Sequence, residues 1–288
     1  MNNFCVLANI EKDKEYEVAK YIRDLIESNH RNCIIVKDRF VEDNDVEGFY
    51  EVTEIPVDTE CIIILGGDGT MIQAANDLSD LGIPLLGVNL GTLGFLTEVE
   101  KQNIEEALQR LYDDKYKVER RMMLFGEAKN QKVGEYRGLA LNDFVISKDG
   151  ACRLITLQVY VNGELLDTYI ADGIIVSTPT GSTGYNLSAG GPVLAPEVKA
   201  MIVTPICPHS LNKRSLVVSH HDVLEIVIGK SKENSDDEAV LITDGTISME
   251  LTTKDRIIVK EAEGETKILK LTECSFYRRL RDKLSREV

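Results

Sequence analysis

The first third of the chain alternates short apolar runs with helical stripes. Phe4–Asn9 is apolar and predicts a buried strand. Val18, Ile22, Leu25 and Ile26 then recur at helical spacing, and Cys33–Val36 predicts a second strand. Cys61–Leu65 holds five apolar residues without a charge, the pattern of a strand buried on both faces of a parallel sheet. Met71, Ala74, Ala75 and Leu78 follow at i, i+3, i+4 and i+7, the apolar face of a helix, and Pro84–Val88 continues the alternation as a strand. Ile104, Ala107, Leu108, Leu111 and Tyr112 form an amphipathic helix that closes this part. Phe40–Asp58 is acidic and weakly patterned, and reads as a surface connection. Strand–helix–strand units at this spacing predict a Rossmann-like parallel α/β domain over residues 1–117.

After about Lys115 the pattern changes from helical to alternating. Ile155, Leu157, Val159 and Val161 interleave with Thr156, Gln158 and Tyr160, and the run ends in Asn162-Gly163, a strong hairpin signal, before Leu165–Ile170. Strand-like runs recur at Leu124–Ala128, Leu141–Ser147, Ile174–Thr178, Ser215–Val218, Val223–Ile228, Ala239–Thr243, Arg256–Lys260 and Thr266–Leu271. With helical stripes nearly absent, residues 118–272 are expected to form an all-β, sandwich-like domain. Phe276–Leu284 turns helical and basic, the pattern of a tail that packs back on a neighbouring element. Lys230–Glu238 reads as a charged hairpin tip.

Charge and cysteine usage narrow the function classes. A net charge of −15 argues against non-specific binding to nucleic acid or to an anionic membrane, since both need a cationic face. Any anionic ligand must then be held by local donors. The amino terminus lacks the basic and apolar regions of a signal peptide and no run has the length of a membrane span, so a cytoplasmic protein is expected. Cysteines 5, 33, 61, 152, 207 and 274 show no CxxC spacing, and the histidines are few, so neither disulfides nor a protein-held metal are expected.

Three stretches can carry chemistry. Gly66–Thr70, GGDGT, sits between a buried strand and a helix start, where free backbone N–H groups and the positive end of the helix dipole suit a phosphate. Asp68 is out of place in a loop built for anions unless it accepts a proton or faces a magnesium ion; the plain alternative is a tight turn whose Asp68 caps the helix. Asn89–Leu96, NLGTLGFL, is a second glycine loop expected beside the first, outside the carboxyl ends of the strands. Asp172–Pro192 gathers Ser177, Thr178, Thr180, Ser182, Thr183, Tyr185 and Ser188 among glycines, donors that can hold phosphate and ribose without net positive charge. The plain alternative there is a hydroxyl-rich loop that caps itself. Asn142 and Asp143 place an amide and a carboxylate at a strand end, as ligand contacts or as an Asx turn, and His209 lies in a proline-bracketed turn.

Taken together, GGDGT at 66–70, NLGTLGFL at 89–96, LND at 141–143, DGxxxSTPTGSTxY at 172–185, SAGGP at 188–192 and PICPHSL at 205–211 resemble the NAD kinases, the ATP-NAD 2′-phosphotransferases. The resemblance covers most of the chain with the motifs in order. It implies a carboxyl-terminal segment, 273–288, that packs back on the first domain, NAD held between the domains, Mg-ATP as phosphoryl donor, and a homodimer or homotetramer. It assigns Asp68 as the base that takes the proton of the adenosine ribose 2′-hydroxyl, and Gly66, Gly67, Gly69 and Thr70 to the ATP phosphates. It places around NAD the residues Asp68, Gly69, Phe95, Asn142, Asp143, Asp172, Cys207 and the run Thr183, Gly184, Tyr185, Asn186, Leu187 and Ser188. Arg153 resembles an arginine that reaches NAD from a neighbouring subunit.

This chain departs from the family pattern at several positions. Asp143 stands where the family usually has Glu, Gly184 where alanine is usual, Ile170 where a basic residue is frequent, Cys207 where a small residue is common, and Thr246 where the late Asp-Gly-Gln segment has glutamine. Two other readings stay open at this level. GGDGT also occurs in diacylglycerol-type lipid kinases, against which stands the continuation Thr70-Met71-Ile72-Gln73. A dinucleotide sensor without activity is the other, against which stands the intact Asp68.

Overall fold

The computed structural model describes residues 1–8, 12–37, 52–91, 94–130, 133–150, 154–210, 212–230, 237–272 and 274–285. The chain separates into two compact units, one made of Met1–Arg120 with Gly264–Val288 and the other of Arg121–Glu263.

The first unit is a parallel sheet with helices. Its elements are β1 (Asn3–Ala8), α1 (Glu17–Ser28), β2 (Asn32–Lys37), β3 (Cys61–Leu65), α2 (Asp68–Asp77), β4 (Leu85–Asn89), β5 (Val99–Glu100) and α3 (Ile104–Tyr112). β1 lies between β2 and β3, and β4 follows β3, all parallel. Every residue of β3 and β4 is buried, as a strand covered on both faces requires. Val18, Ala19, Ile22 and Ile26 of α1 share a core with Ile104, Ala107, Leu108 and Leu111 of α3 and with Phe4, Val6, Ile63 and Leu65 of the strands. Met71 of α2 is buried against β4: a Cβ added to Gly87 would stand 2.9 Å from the Met71 sulfur. The connection expected over Phe40–Asp58 lies mostly outside the described residues, which resume with a 3₁₀ turn at Val52–Glu54.

The second unit is built from two antiparallel sheets. Its strands are β6 (Lys117–Asn130), β7 (Gly134–Ala140), β8 (Asp143–Lys148), β9 (Ile155–Val161), β10 (Glu164–Ala171), β11 (Gly173–Ser177), β12 (Ala200–Ile206), β13 (Leu216–Ser219), β14 (Leu224–Ile228), β15 (Glu238–Thr243), β16 (Thr246–Thr252) and β17 (Arg256–Lys270), with one helical turn, α4 (Tyr185–Ser188). One sheet runs β13-β12-β11-β8-β15-β16. In the other, β9 joins β10 and β14, and β14 pairs with Arg256–Val259 of β17. Phe144, Ile146, Ile174, Val176 and Leu241 from the first sheet share one buried cluster with Leu157, Val159, Ile226 and Val259 from the second, so the two inner faces form a sandwich core. The Asn162-Gly163 turn has φ of 52° and 83° at its two residues, the left-handed pair of a tight hairpin.

The runs expected separately at 256–260 and 266–271 are one strand, β17. Glu261–Glu265 breaks the apolar pattern in the sequence, yet the backbone continues, and Ile268 pairs in parallel with Leu85 of β4. α5 (Phe276–Leu284) therefore belongs to the first unit. Its start is set by Ser275, whose side chain accepts from the Arg278 N–H. Among the described residues, no helix is long and apolar enough to cross a membrane.

Candidate active site

In the first unit the site is built from the loops that follow two adjacent parallel strands. β3 ends at Leu65, and Gly66 N–H donates to the Val88 carbonyl at 3.0 Å, which holds the first loop against β4. α2 begins at Asp68 after Gly67, and no side chain caps it. The first-turn amides of α2 are thus not engaged by a capping side chain. Gly67 and Gly69 have open space where a Cβ would stand, and neither requires glycine for a positive φ. Neither internal packing nor backbone conformation demands these two glycines, which fits a loop whose backbone is approached closely from outside. Gly66 differs: its Cβ would lie 2.3 Å from the Thr70 hydroxyl oxygen, so Thr70 folds back over it.

Asp68 does not cap its own helix. Its carboxylate turns to the second glycine loop, where Phe95 N–H donates to Oδ2 at 2.7 Å, and Leu96 N–H and Thr97 N–H donate to Oδ1 at 3.0 and 3.3 Å. Three consecutive amides thus hold this one side chain in place. Gly94 N–H donates to the Thr97 hydroxyl at 3.0 Å, and Asn89 closes the start of the loop through Gly91. Thr92 and Leu93 of NLGTLGFL lie outside the described residues. Phe95 is half-buried; its ring lies 6.2 Å from that of Phe276, with the Lys283 ammonium 4.7 Å from its centroid.

The second unit repeats the same device. Asp244, with φ 47° at a tight Asp-Gly hairpin turn, accepts from the N–H groups of Leu141, Asn142 and Asp143 at 2.8, 2.8 and 2.9 Å. The Asp143 carboxyl is buried next to this anion. Burial first, and then the Asp244 charge, push its pKa from 3.8 up to about 7. A carboxylic acid that holds its proton near neutrality can donate as well as accept. Asn142 is half-buried at the same strand end.

The hydroxyl-rich segment corrects the expectation drawn from composition, because most of its hydroxyls serve the loop itself. Ser177 donates to the Asn142 and Thr178 carbonyls, Thr178 to the Leu141 carbonyl at 2.6 Å, and Ser182 to the Pro179 carbonyl at 2.6 Å. Thr183 donates to the Thr180 carbonyl at 3.4 Å. Asn186 is fully buried: its amide donates to the Ser182 and Pro192 carbonyls, and its oxygen accepts from the Thr204 hydroxyl at 2.6 Å. Asn186 thus holds the loop from inside. Gly184, Tyr185 and Ser188 are exposed and Leu187 is half-buried, so the outward face here is the start of α4 at Gly184 and the turn itself.

Asp172 and Cys207 lie elsewhere. Asp172 N–H donates to the Ile206 carbonyl, and the Asp172 carboxylate pairs with Lys148 at 2.6 Å. Asp143 faces Ser177 across β8 and β11, whereas Ser147, next to Lys148, faces Gly173. The two groups therefore sit at opposite ends of the same strand pair, about 13 Å apart along it. Cys207 is exposed with φ 45°, Arg153 and Leu211 lie outside the described residues, and His209 is exposed, its N–H donating to the Ile170 carbonyl.

Sequence reasoning missed the two residues that hold these loops from behind. Asp244 lay in a recognised Asp-Gly signal without a role attached. Arg279 gave no signal beyond a basic helix. Its guanidinium donates to the Phe95 and Thr97 carbonyls at 3.3 and 3.0 Å and pairs with Glu98. Burial works to raise the Glu98 pKa, but Lys270, Thr272 and Arg279 outweigh it and hold the carboxyl below its ordinary value.

Elsewhere, the His220, His221 and Glu261 donor atoms lie within 4.8 Å of one another, but His220 Nδ1 is engaged with Glu261 at 2.8 Å and the two imidazoles are close, tilted neighbours. Cys5, Cys33 and Cys61 are buried free thiols, and burial pushes Cys5 and Cys33 up to about 12.

Comparison with known proteins gives one consistent answer. Residues 9–116 match the family model of the ATP-NAD kinase N-terminal domain, and residues 141–271 that of the ATP-NAD kinase C-terminal domain. The chain is 44% identical over 286 residues to a NAD kinase of Lachnoclostridium phytofermentans, covering 98% of this chain and 99% of the relative. It also resembles the crystal structure of yeast NADH kinase complexed with NADH, with TM-score 0.82 and 26% identity, covering 99% of this chain and 88% of that one. An Archaeoglobus fulgidus NAD kinase in complex with ATP superimposes with TM-score 0.74 and 26% identity, covering 99% of both chains.

Proposed function

The chain belongs to the ATP-NAD kinase family, and from that premise we propose that it transfers the γ-phosphoryl group of Mg-ATP to the 2′-hydroxyl of the adenosine ribose of NAD, giving NADP. The observation that carries the residue-level reading is the Asp68 carboxylate, held by three amides at the start of a helix whose glycine loop leaves open space at Gly67 and Gly69.

In this reading the 2′-oxygen attacks the γ-phosphorus, the bond from that phosphorus to the β,γ-bridging oxygen breaks, and ADP leaves. The 2′-hydroxyl proton passes to Asp68 and then to solvent. A positioned carboxylate acting as general base contributes about 10²–10⁴-fold. Most of the rest of the acceleration in phosphoryl transfer comes from positioning and charge neutralisation, which the amides of Gly67, Gly69 and Thr70 supply to the phosphates, while Gly66, its own N–H held by the Val88 carbonyl, fixes the loop beneath them. Magnesium enters as part of the donor substrate. Asn142, Thr183, Gly184, Tyr185, Leu187 and Ser188 contact the dinucleotide through the faces they leave outward, with Asp143 buried at the same strand end as Asn142. Phe95 and Gly69 lie along it, while Asp172, Cys207 and a neighbouring copy's Arg153 meet its other end in a homodimer or homotetramer.

Asp68→Asn tests the base. Turnover is expected to fall by 10²-fold or more, with NAD binding by calorimetry retained; near-parental turnover would remove Asp68 from the role. Family membership sets the lipid-kinase reading aside.

A further inference from the structure

The helix α5 touches the loop that holds the Asp68 carboxylate at the same residues that hold it. Phe95, Leu96 and Thr97 give their N–H groups to Asp68, and Phe95 and Thr97 give their carbonyls to Arg279. The Phe95 carbonyl and the Leu96 N–H belong to one planar trans peptide, in which they point in opposite directions. A guanidinium on the carbonyl side and a carboxylate on the N–H side therefore fix that plane between them. Each polarises the peptide in the sense that strengthens the other's hydrogen bond.

The cation is itself anchored. Arg279 is nine-tenths buried and pairs with the fully buried Glu98 side chain, which also meets Lys270 at 3.2 Å. Glu98 further accepts from the Thr272 N–H at 2.9 Å and the Thr272 hydroxyl at 2.6 Å. Burying such a group is costly unless every member is paired, so the network is poor as pure stabilisation and well suited to holding one geometry. On the same face of α5, Phe276 and Lys283 meet the Phe95 ring, at 6.2 Å between centroids and 4.7 Å from the ammonium.

We propose that Arg279, held by Glu98, is a positioning residue for the reaction: it sets the amides of 95–97 and through them the place and orientation of the Asp68 carboxylate. The proposal rests on the reading of Asp68 as the base. Arg279 touches no reacting atom. Its loss displaces the carboxylate by a fraction of its working distance, and such misplacement costs about 10²-fold in rate. Lysine reaches Glu98 but lacks the planar fork that serves two carbonyls and a carboxylate together.

The experiment is a double-mutant cycle of Asp68→Asn and Arg279→Ala, with Arg279→Lys alongside. It is run on the full chain, at a temperature where melting curves show each variant folded. Arg279→Ala is expected to lower kcat about 10²-fold while KM for NAD stays within about threefold, and Arg279→Lys to recover part of the loss. In the Asp68→Asn background, Arg279→Ala should cost less than about threefold, because a residue that acts only through Asp68 has nothing left to position. Parental kcat in Arg279→Ala, or the same fold-loss in both backgrounds, overturns the proposal. If the alanine variant does not fold, the same cycle is read with Arg279→Lys. Parental turnover in Asp68→Asn alone sinks the base reading and the proposal with it. An inactive Asp68→Asn beside an indifferent Arg279 sinks the positioning alone.

Discussion

Gly94 and Asp68 compete for the same space: a Cβ built on Gly94 would stand 1.8 Å from Asp68 Oδ1. The close approach of loop and carboxylate is thus possible only because residue 94 has no side chain. Gly94→Ala is expected to push Asp68 out of its amide cradle. Overpacking of this kind costs about 1–3 kcal/mol in stability. Turnover should fall about 10²-fold even in the folded fraction, measured as kcat beside a melting curve.

Gly69 gives the opposite pairing of effects. It lies inside α2 with open space at its Cβ position, so alanine there meets nothing in the described structure. Gly69→Ala should stabilise the protein by about 0.5–1 kcal/mol, because alanine loses less backbone freedom in a helix. The same methyl group obstructs the approach of a ligand to the loop, so KM for ATP or NAD should rise. A variant that is more stable and equally active would show that the loop is not approached there.

Asp143 carries a pH signature. Its pKa is raised in the folded protein from 3.8 to about 7, so the folded state holds the proton more tightly than the unfolded chain. Its contribution to stability is full below pH 3.8 and is lost progressively as pH rises towards about 7. Asp143→Asn lacks this dependence. Its melting temperature relative to the parent should climb between pH 5 and pH 8, and a constant offset across that range would contradict the assignment.

Asp244 holds three amides of 141–143, so Asp244→Ala strands three donors at a half-buried strand end. We expect a loss of about 2–4 kcal/mol in chemical denaturation, and NAD affinity weakened more than ATP affinity. Equal weakening of both would speak against a local role for the 141–143 loop.

The parts legible in the sequence are those written in local pattern. The buried run Cys61–Leu65, the glycine turn after it and the Met71–Leu78 stripe appear as β3, a loop and α2 because burial on a strand and on a helix each has its own period. The Asn162-Gly163 turn was legible because two left-handed residues restrict the choice of side chains. The Asp68 cradle was half-legible: two glycine loops were expected side by side, but not that Asp68 turns away from its own helix to the amides of the second. Arg279 could not be read, since it meets Phe95 across 184 positions of sequence and no periodicity encodes that distance. The hydroxyl-rich segment misled for a related reason. Composition names Ser177, Thr178, Ser182 and Thr183 as donors, while only the fold shows that they are used on carbonyls within the second unit. β17 reads as two runs because Glu261–Glu265, partly buried or exposed and mostly charged, carries no apolar signal.

The most direct test is incubation of the purified chain with NAD and γ-labelled Mg-ATP, with the product read through an NADP-specific dehydrogenase and by the position of the label. The account predicts label on the 2′-phosphate of NADP in the parent and its loss by 10²-fold or more in Asp68→Asn, with NAD still bound. Bound NAD without NADP in the parent, or undiminished NADP in Asp68→Asn, would contradict it.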